Sequence, residues 1–474
     1  MLSQSFALIL DRHIERAAPA DMALWSLRGL SALDPRLDAV RAGAELRLML
    51  DERAVGAAPV ASLAASRDAA RIAAAIAALI APLYDAAWRA SAPLRRAGAE
   101  RVIASGFEEV FNHLDPYSRY VTPAEARAAR ERRVGQSGLG LRVAVQGDAL
   151  AVVAIAPAGP AERAGIRPGD RLIAVDGRPL TGREPDLAAS LMEGPEGSPV
   201  VLSLSRAGRR RDVSLVREVV VPETVSVDRR DEILWIRVTG FTVMTERRIA
   251  AVLSDISQGG LRGVVLDLRG NRGGLLGQAV GVADLFLEAG EVARTAGRHP
   301  DAVRRYDSTG RDMTGGVPLV VLVDGRTASA AEILAMALAE RGRAVVVGST
   351  TMGKGLIQLV APLPNEAEIL ITWSQVVAPS GWPVQGMGVL PALCTSLGPE
   401  DVAAALARLR AGEAPMARAL ARQRAARPPV PPADLAAIRG ACPPAEGRPA
   451  DLAAARALIE NPAAYRTALR AETR

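Results

Sequence analysis

The sequence predicts an α/β protein: a domain of alternating buried strands and helices, preceded by a small β-rich module and flanked by helical regions at both ends. Three observations carry this. Over residues 221–398, runs of branched aliphatics such as Val264-Val265-Leu266-Asp267-Leu268 alternate with helical patterns, the mark of β-α succession. Residues 133–220 change character to short apolar runs cut by Gly/Pro turns, as a compact β module requires. Residues 1–132 and 399–474 read as helical: apolar positions recur at helical spacing over 68–83 and 99–114, where Asp115-Pro116 ends the pattern, and the chain after Pro399 is Ala/Arg-rich. Within that last region Arg427-Pro428-Pro429-Val430-Pro431-Pro432 reads as a stiff connection.

Composition narrows the function. A chain of 474 residues with 49% hydrophobic content divides into several structural units. The net charge of +6 is spread over arginines scattered among acids, with Arg209-Arg210-Arg211 as a short run, and aromatics make up only 3%. Neither a nucleic-acid stripe nor a stacking platform is expected. The best membrane candidate, residues 72–83, falls short of the roughly 18 apolar residues a bilayer requires. The first ten residues lack a basic segment, and Asp11 and Arg12 interrupt the apolar stretch, so no signal peptide is read there. Cys394 and Cys442 either form a bridge, as an oxidising compartment permits, or remain two small apolar residues.

One residue stands apart: Lys354 is the single lysine, every other basic side chain of the Lys/Arg class being arginine. Arginine cannot lose its proton in a protein, whereas a buried lysine can, and can then act as a base.

Three strand-to-helix passages belong together. Residues 264–268 lead into Arg269-Gly270-Asn271-Arg272-Gly273-Gly274 and a helix from about Leu275; residues 319–323 lead into a helix from about Ser329 to Glu340; residues 344–347 lead into a loop over 348–355. If these strands are parallel, all three loops open on one carboxyl edge of the sheet. Ser329 at a helix start is either an N-cap or a nucleophile whose oxyanion meets the Ala330 N–H. The Gly273-Gly274 pair is either a tight turn or the source of a second oxyanion donor. A histidine base is disfavoured, because His13, His113 and His299 all lie outside these loops. Lys354 takes that place, with Gln358 on the following strand as its orienting partner. Residues 348–354 also fit the G-x-x-x-x-G-K frame of a phosphate loop, but Gly355 replaces the Ser/Thr that would hold Mg²⁺.

From about Phe107 to Pro391 the chain resembles the carboxy-terminal processing peptidases, or tail-specific proteases. The resemblance rests on Leu114-Asp115-Pro116-Tyr117-Ser118, the segment from Asp267 to Gly274, Thr327-Ala328-Ser329-Ala330-Ala331-Glu332-Ile333, Gly353-Lys354-Gly355-Leu356-Ile357-Gln358, Pro379-Ser380-Gly381 and Gln385-Gly386-Met387-Gly388-Val389. Ala331 departs from a serine common in the family, and Trp382 and Met387 stand where basic side chains are expected. The resemblance implies a ClpP/crotonase-like catalytic domain with an inserted PDZ domain, Ser329 as nucleophile, Lys354 as base, Gln358 as its partner, and Ala330 with Gly273 and Gly274 as oxyanion hole. It implies no metal and no cofactor and a place in the bacterial envelope or periplasm, the cytoplasm being the alternative that the absence of a signal peptide in the first ten residues suggests, and leaves a homo-oligomer open.

The PDZ expectation rests on Gly138-Leu139-Gly140-Leu141 and on the later Ala164-Gly165-Ile166 and Pro168-Gly169-Asp170 turns. Such a module adds a peptide as a strand and holds its terminal carboxylate on backbone N–H groups, here those of Leu139, Gly140 and Leu141. Protein C-termini are the expected partners. The rival functions are a non-catalytic PDZ scaffold and, less in keeping with the residues, a P-loop nucleotide binder.

Overall fold

The computed structural model describes residues 1–64, 66–180, 184–256, 260–310 and 312–473. Within it the three apolar strands of the sequence lie side by side and parallel: Gly263–Asp267 pairs with Leu319–Val323, and Leu319–Val323 with Val345–Gly348. Every residue of these strands is buried, which is why they read as continuous apolar runs without alternation. Leu393–Cys394 extends the sheet on one side and Ile233–Val238 on the other, with Val225–Arg230 antiparallel at the edge. A second sheet runs Arg304–Ser308, Gly290–Ala296, Glu368–Val377, Leu356–Pro362, and Arg119–Val121 also pairs with Glu368–Val377.

The β-rich module is inserted in sequence between the Arg119–Val121 and Val225–Arg230 strands. Its strands run in the order Arg209–Val216, Pro199–Arg206, Arg171–Val175, Ala149–Ile155, Leu141–Gln146, around a core that includes Leu150, Val152, Leu202 and Leu204. A short antiparallel pair, Gln136–Gly138 with Glu218–Val220, closes its two connections to the α/β domain.

The N-terminal region departs from the all-helical expectation. Helices Leu2–Arg12, Pro19–Arg28, Ala69–Ala90 and Ala99–Asn112 are present, but Leu37–Ala42, Glu45–Leu50 and Arg53–Pro59 form an antiparallel meander. Alternation decides it: Leu37, Ala39, Leu46 and Leu48 are buried while their neighbours face outward. The Ala and Arg content, which favours helices, masks that period of two. The Ala69–Ala90 helix is also longer than the expected apolar run: at 22 residues and mean hydropathy 1.5 it is, by length and composition, apolar enough to cross a membrane. Here Ile76, Leu79, Ile80 and Leu83 pack it into the core of the N-terminal domain, and the Asp68 side chain caps its start.

The C-terminal helices share the core of the α/β domain. Ile459 packs at Gly263, the Tyr465 hydroxyl accepts the Leu319 N–H at 2.9 Å, and Leu409, Ile438 and Leu458 are buried with the central strands. Each such side chain adds about 1.5–3 kcal/mol by leaving water. Cys394 and Cys442 are disulfide-bonded, Cα atoms 5.7 Å apart, tying the Pro432–Gly440 end to the sheet.

Candidate active site

The three loops at the carboxyl edge of the sheet are stitched together by hydrogen bonds. Asp324 Oδ1 accepts the N–H groups of Thr327 (2.9 Å) and Gly270 (3.0 Å), and Ala328 N–H donates to Asn271 O at 2.9 Å. The third loop joins through Met352 N–H, which donates to Thr327 O at 3.0 Å.

Glu332 is the centre of the arrangement. It is fully buried, and its Oε2 accepts both Ser329 N–H and Lys354 N–H, each at 2.8 Å, while Oε1 accepts Gly353 N–H at 2.6 Å and the Thr351 hydroxyl. One carboxylate oxygen therefore fixes the backbones of Ser329 and Lys354 against each other. Burial pushes the Glu332 carboxyl up; the bonds from Thr351, Gly353, Ser329 and Lys354 act in the opposite direction.

Ser329 precedes the Ala330–Glu340 helix with φ 59° and ψ −123°. A non-glycine residue there stores about 1–3 kcal/mol, and such strain gathers at functional sites, as in the sharp strand-to-helix turns that present nucleophilic serines. The Glu332 N–H donates to the Ser329 carbonyl at 2.9 Å, and Ser329 and Glu332 face each other as a capping box, the Glu332 carboxylate accepting the Ser329 N–H. Ala330 is the first helical residue, and its N–H has no intrahelical acceptor.

The Gly273-Gly274 turn lies directly against Ser329. A Cβ on Gly273 (φ 97°) would come within 2.8 Å of Ser329 Cβ and 3.0 Å of Ala330 N; on Gly274 (φ 142°) it would meet Phe241 O at 2.3 Å. Only glycine fits either position. The Gly273 N–H is already engaged by Asn271 Oδ1 at 2.8 Å. Gly274 bridges Phe241 through its neighbours, Phe241 N–H donating to Gly273 O and Leu275 N–H to Phe241 O, each at 3.0 Å. That pattern turns the Gly274 N–H away from Phe241.

Lys354 is half-buried, with its ammonium 5.2 Å from the centroid of the Tyr117 ring. Burial lowers it from the ordinary lysine value, the like charge of Arg119 adds to this, and Glu332 opposes it. Gln358 stands on the next strand, but its amide nitrogen donates to Thr372 Oγ1 (3.2 Å) and Leu356 O (3.3 Å), and among the described residues it makes no hydrogen bond to Lys354. The histidines are committed elsewhere: His13 to Asp115, His113 to Glu109 and the face of Trp25, His299 to Asp301.

A phosphate loop is not formed at residues 348–354. A strand, Leu356–Pro362, follows instead of a helix, and the N–H groups of Gly353 and Lys354 already hold a carboxylate.

In the β-rich module the edge strand Leu141–Gln146 pairs, among the described residues, on one side only, with Ala149–Ile155. A groove of about 790 Å³ runs along it, lined by Gly138, Leu139, Gly140 and Leu141 and, across from them, by Ala189 and Met192 of the Pro185–Met192 helix. Arg132 and Arg142 also line it.

With this geometry in place, the comparisons with known proteins are specific. Residues 232–393 match the model of peptidase family S41, and residues 152–206 match a PDZ domain. The carboxy-terminal-processing protease of Bartonella bacilliformis is 34% identical over 299 residues, covering 62% of this chain and 69% of that one. The chain belongs to the carboxy-terminal processing peptidases of family S41. It is thus a serine protease with an inserted PDZ domain. A carboxyl-terminal-processing protease from Picosynechococcus is 35% identical over 287 residues, with 58% and 69% coverage. Among solved structures, the photosystem II D1 C-terminal processing protease shares 28% identity, with a TM-score of 0.38 over 68% of this chain and 92% of its own.

What the sequence did not single out is the support around these residues. The local signal for Glu332 is an acid in the first turn of a helix that is apolar until Glu340. Asp115 and Tyr117 belong to the Leu114–Ser118 motif, but their contacts with Thr372 and Lys354 join segments distant in sequence and leave no local signal.

Proposed function

We propose that this processing peptidase is an endopeptidase that cuts near the C-termini of unfolded proteins, with Ser329 as nucleophile and neutral Lys354 as general base. The observation that carries this reading is the Glu332 clamp, which brings the backbones of Ser329 and the only lysine to a single oxygen atom. Lys354 takes the hydroxyl proton as Ser329 Oγ attacks the substrate carbonyl. The oxyanion forms in front of Ala330 N–H and Gly274 N–H, with Gly273 permitting the close approach. The lysine ammonium then protonates the leaving amine, an ester to Ser329 remains, and water attacks it as Lys354 again accepts a proton, which returns to Ser329 Oγ as the acyl–Oγ bond breaks and the new carboxylate leaves. Gln358, fixed through its amide nitrogen, keeps Oε1 as an acceptor for the lysine ammonium.

The PDZ groove supports capture of a C-terminus as an added strand on Leu141–Gln146, its carboxylate on the N–H groups of Leu139, Gly140 and Leu141 with Arg132 and Arg142 nearby. The Cys394–Cys442 bridge supports an oxidising compartment, in keeping with the bacterial envelope.

The test is cleavage of an unstructured protein with an apolar C-terminus, read by mass spectrometry without metal or nucleotide. Wild type cuts, while Ser329→Ala and Lys354→Arg do not, because arginine keeps the charge but cannot take the proton. Cleavage by Lys354→Arg removes the lysine from the mechanism; binding by all three with no cleavage favours a scaffold.

A further inference from the structure

The proposed base is held from outside the three catalytic loops, by a turn that the N-terminal domain braces. Asp115 Oδ1 accepts the N–H groups of Tyr117 (2.9 Å) and Ser118 (3.0 Å) and the Thr372 hydroxyl (2.8 Å). Its Oδ2 accepts the Ser118 hydroxyl and lies 2.9 Å from Nε2 of the buried His13. The turn so fixed places the Tyr117 ring over Lys354. Thr372, which donates to Asp115, is the same hydroxyl that accepts the Gln358 amide at 3.2 Å, and its N–H donates to Ser118 Oγ at 2.9 Å. On the other side, Ile14 N–H donates to Thr372 O at 2.8 Å, and Arg298 of the catalytic domain donates to His13 O (3.0 Å) and Leu10 O (2.7 Å).

We propose that Asp115, braced by His13, is a positioning residue for the base: it sets Tyr117 over Lys354 and Thr372 against Gln358, so that the N-terminal domain completes the catalytic site. The inference rests on the reading of Lys354 as base. Both Asp115 oxygens only accept, so Asn at this position aims an NH₂ at donors whichever way it turns. Burial works to raise the Asp115 carboxyl, but bonds from His13, Ser118, Thr372 and Tyr117 outweigh it and hold it well below the usual carboxylate range. The acceptor is therefore ionised wherever the enzyme works. The charged groups facing Lys354 are Arg119 and Glu332, and burial is the largest influence on it. Releasing the turn uncovers Lys354 and moves it back up toward an ordinary lysine. The ring also favours the ammonium, an influence smaller than that of burial.

The experiment uses the full chain with Asp115→Asn, Tyr117→Leu, Tyr117→Phe and Lys354→Arg, measuring kcat and KM on an unstructured peptide across pH, with thermal melts to confirm folding. Asp115→Asn and Tyr117→Leu are expected to lower kcat about tenfold or more at neutral pH with KM within about twofold. The acid limb of kcat/KM, where Lys354 loses its proton, moves up by about one pH unit in both, and Tyr117→Phe keeps the wild-type profile. A folded Asp115→Asn enzyme whose limb stays in place overturns the inference even if kcat falls, since a merely structural residue changes the amount of active enzyme and not the limb. Where Asp115→Asn does not fold, Tyr117→Leu decides by the same limb. Wild-type activity in Lys354→Arg instead removes the base reading itself, a result separate from the other two.

Discussion

Glu332→Gln tests the clamp at the centre of the site. The side chain keeps its shape and burial, but one of the two carboxylate oxygens becomes an NH₂ group. Either way it turns, two donors lose their acceptor: Ser329 N–H and Lys354 N–H at one oxygen, or Gly353 N–H and the Thr351 hydroxyl at the other. The hydroxyl can rotate, but a backbone N–H cannot, and a buried donor left unmade costs about 1–3 kcal/mol. A loss of about 2–5 kcal/mol in unfolding free energy is expected, measured by urea denaturation with and without the substitution. On the proposed reading of Ser329 as nucleophile and Lys354 as base, activity falls further than stability explains, because the two lose their common anchor; a drop in kcat of about a hundredfold is expected for reacting groups so misplaced. The reasoning fails if Glu332→Gln unfolds within about 0.5 kcal/mol of wild type. That result would mean the carboxyl is protonated in the folded enzyme, where glutamine imitates it.

Other consequences follow from the same geometry. Gly273→Ala is expected to abolish cleavage while leaving peptide binding to the PDZ groove intact, as titration by fluorescence anisotropy can show, because the new methyl meets Ser329 Cβ. Cys442→Ala opens a bridge spanning 48 residues in sequence and is expected to cost about 4 kcal/mol by loop closure, read as a lowered urea midpoint matched by reductant on the wild type. Glu472, wholly buried beside Glu340 and Arg424, is pushed up to about 8. Its folded value lies above the unfolded one, so the stability it contributes is full below the unfolded value and is lost as pH rises through about 8. Glu472→Gln, which keeps an acceptor for Val346 N–H, is therefore expected to gain on the wild type from pH 5 to 8 in denaturation midpoints.

The loops were legible because β-α succession leaves a strong local record. Fully buried parallel strands are apolar throughout, and the glycines and Ser329 that follow them are forced by backbone geometry at those very positions. The lone lysine was equally plain, since composition alone isolates it. What escaped was set by contacts between distant segments. The meander over residues 37–59 carries its period of two in Ala- and Arg-rich strands, where propensity argues for helix. The apolar character of Ala69–Ala90 was underestimated because alanines extend it beyond its branched residues. Asp115 and Thr372 are separated by 257 positions and look like ordinary turn and strand residues until the fold joins them. The cysteine pair needed the Cα separation of 5.7 Å that only the fold supplies.

The central claim is that one lysine, kept neutral by burial, is the base, and a single lysine makes it directly measurable. Lysine-selective ¹⁵N labelling gives one Nζ signal, whose titration can be laid over the pH dependence of kcat/KM for the same enzyme. The account predicts that Lys354 titrates well below the ordinary value near 10.4, at the pH of the acid limb. A lysine that titrates at its ordinary value, or a limb that does not follow it, would contradict the account.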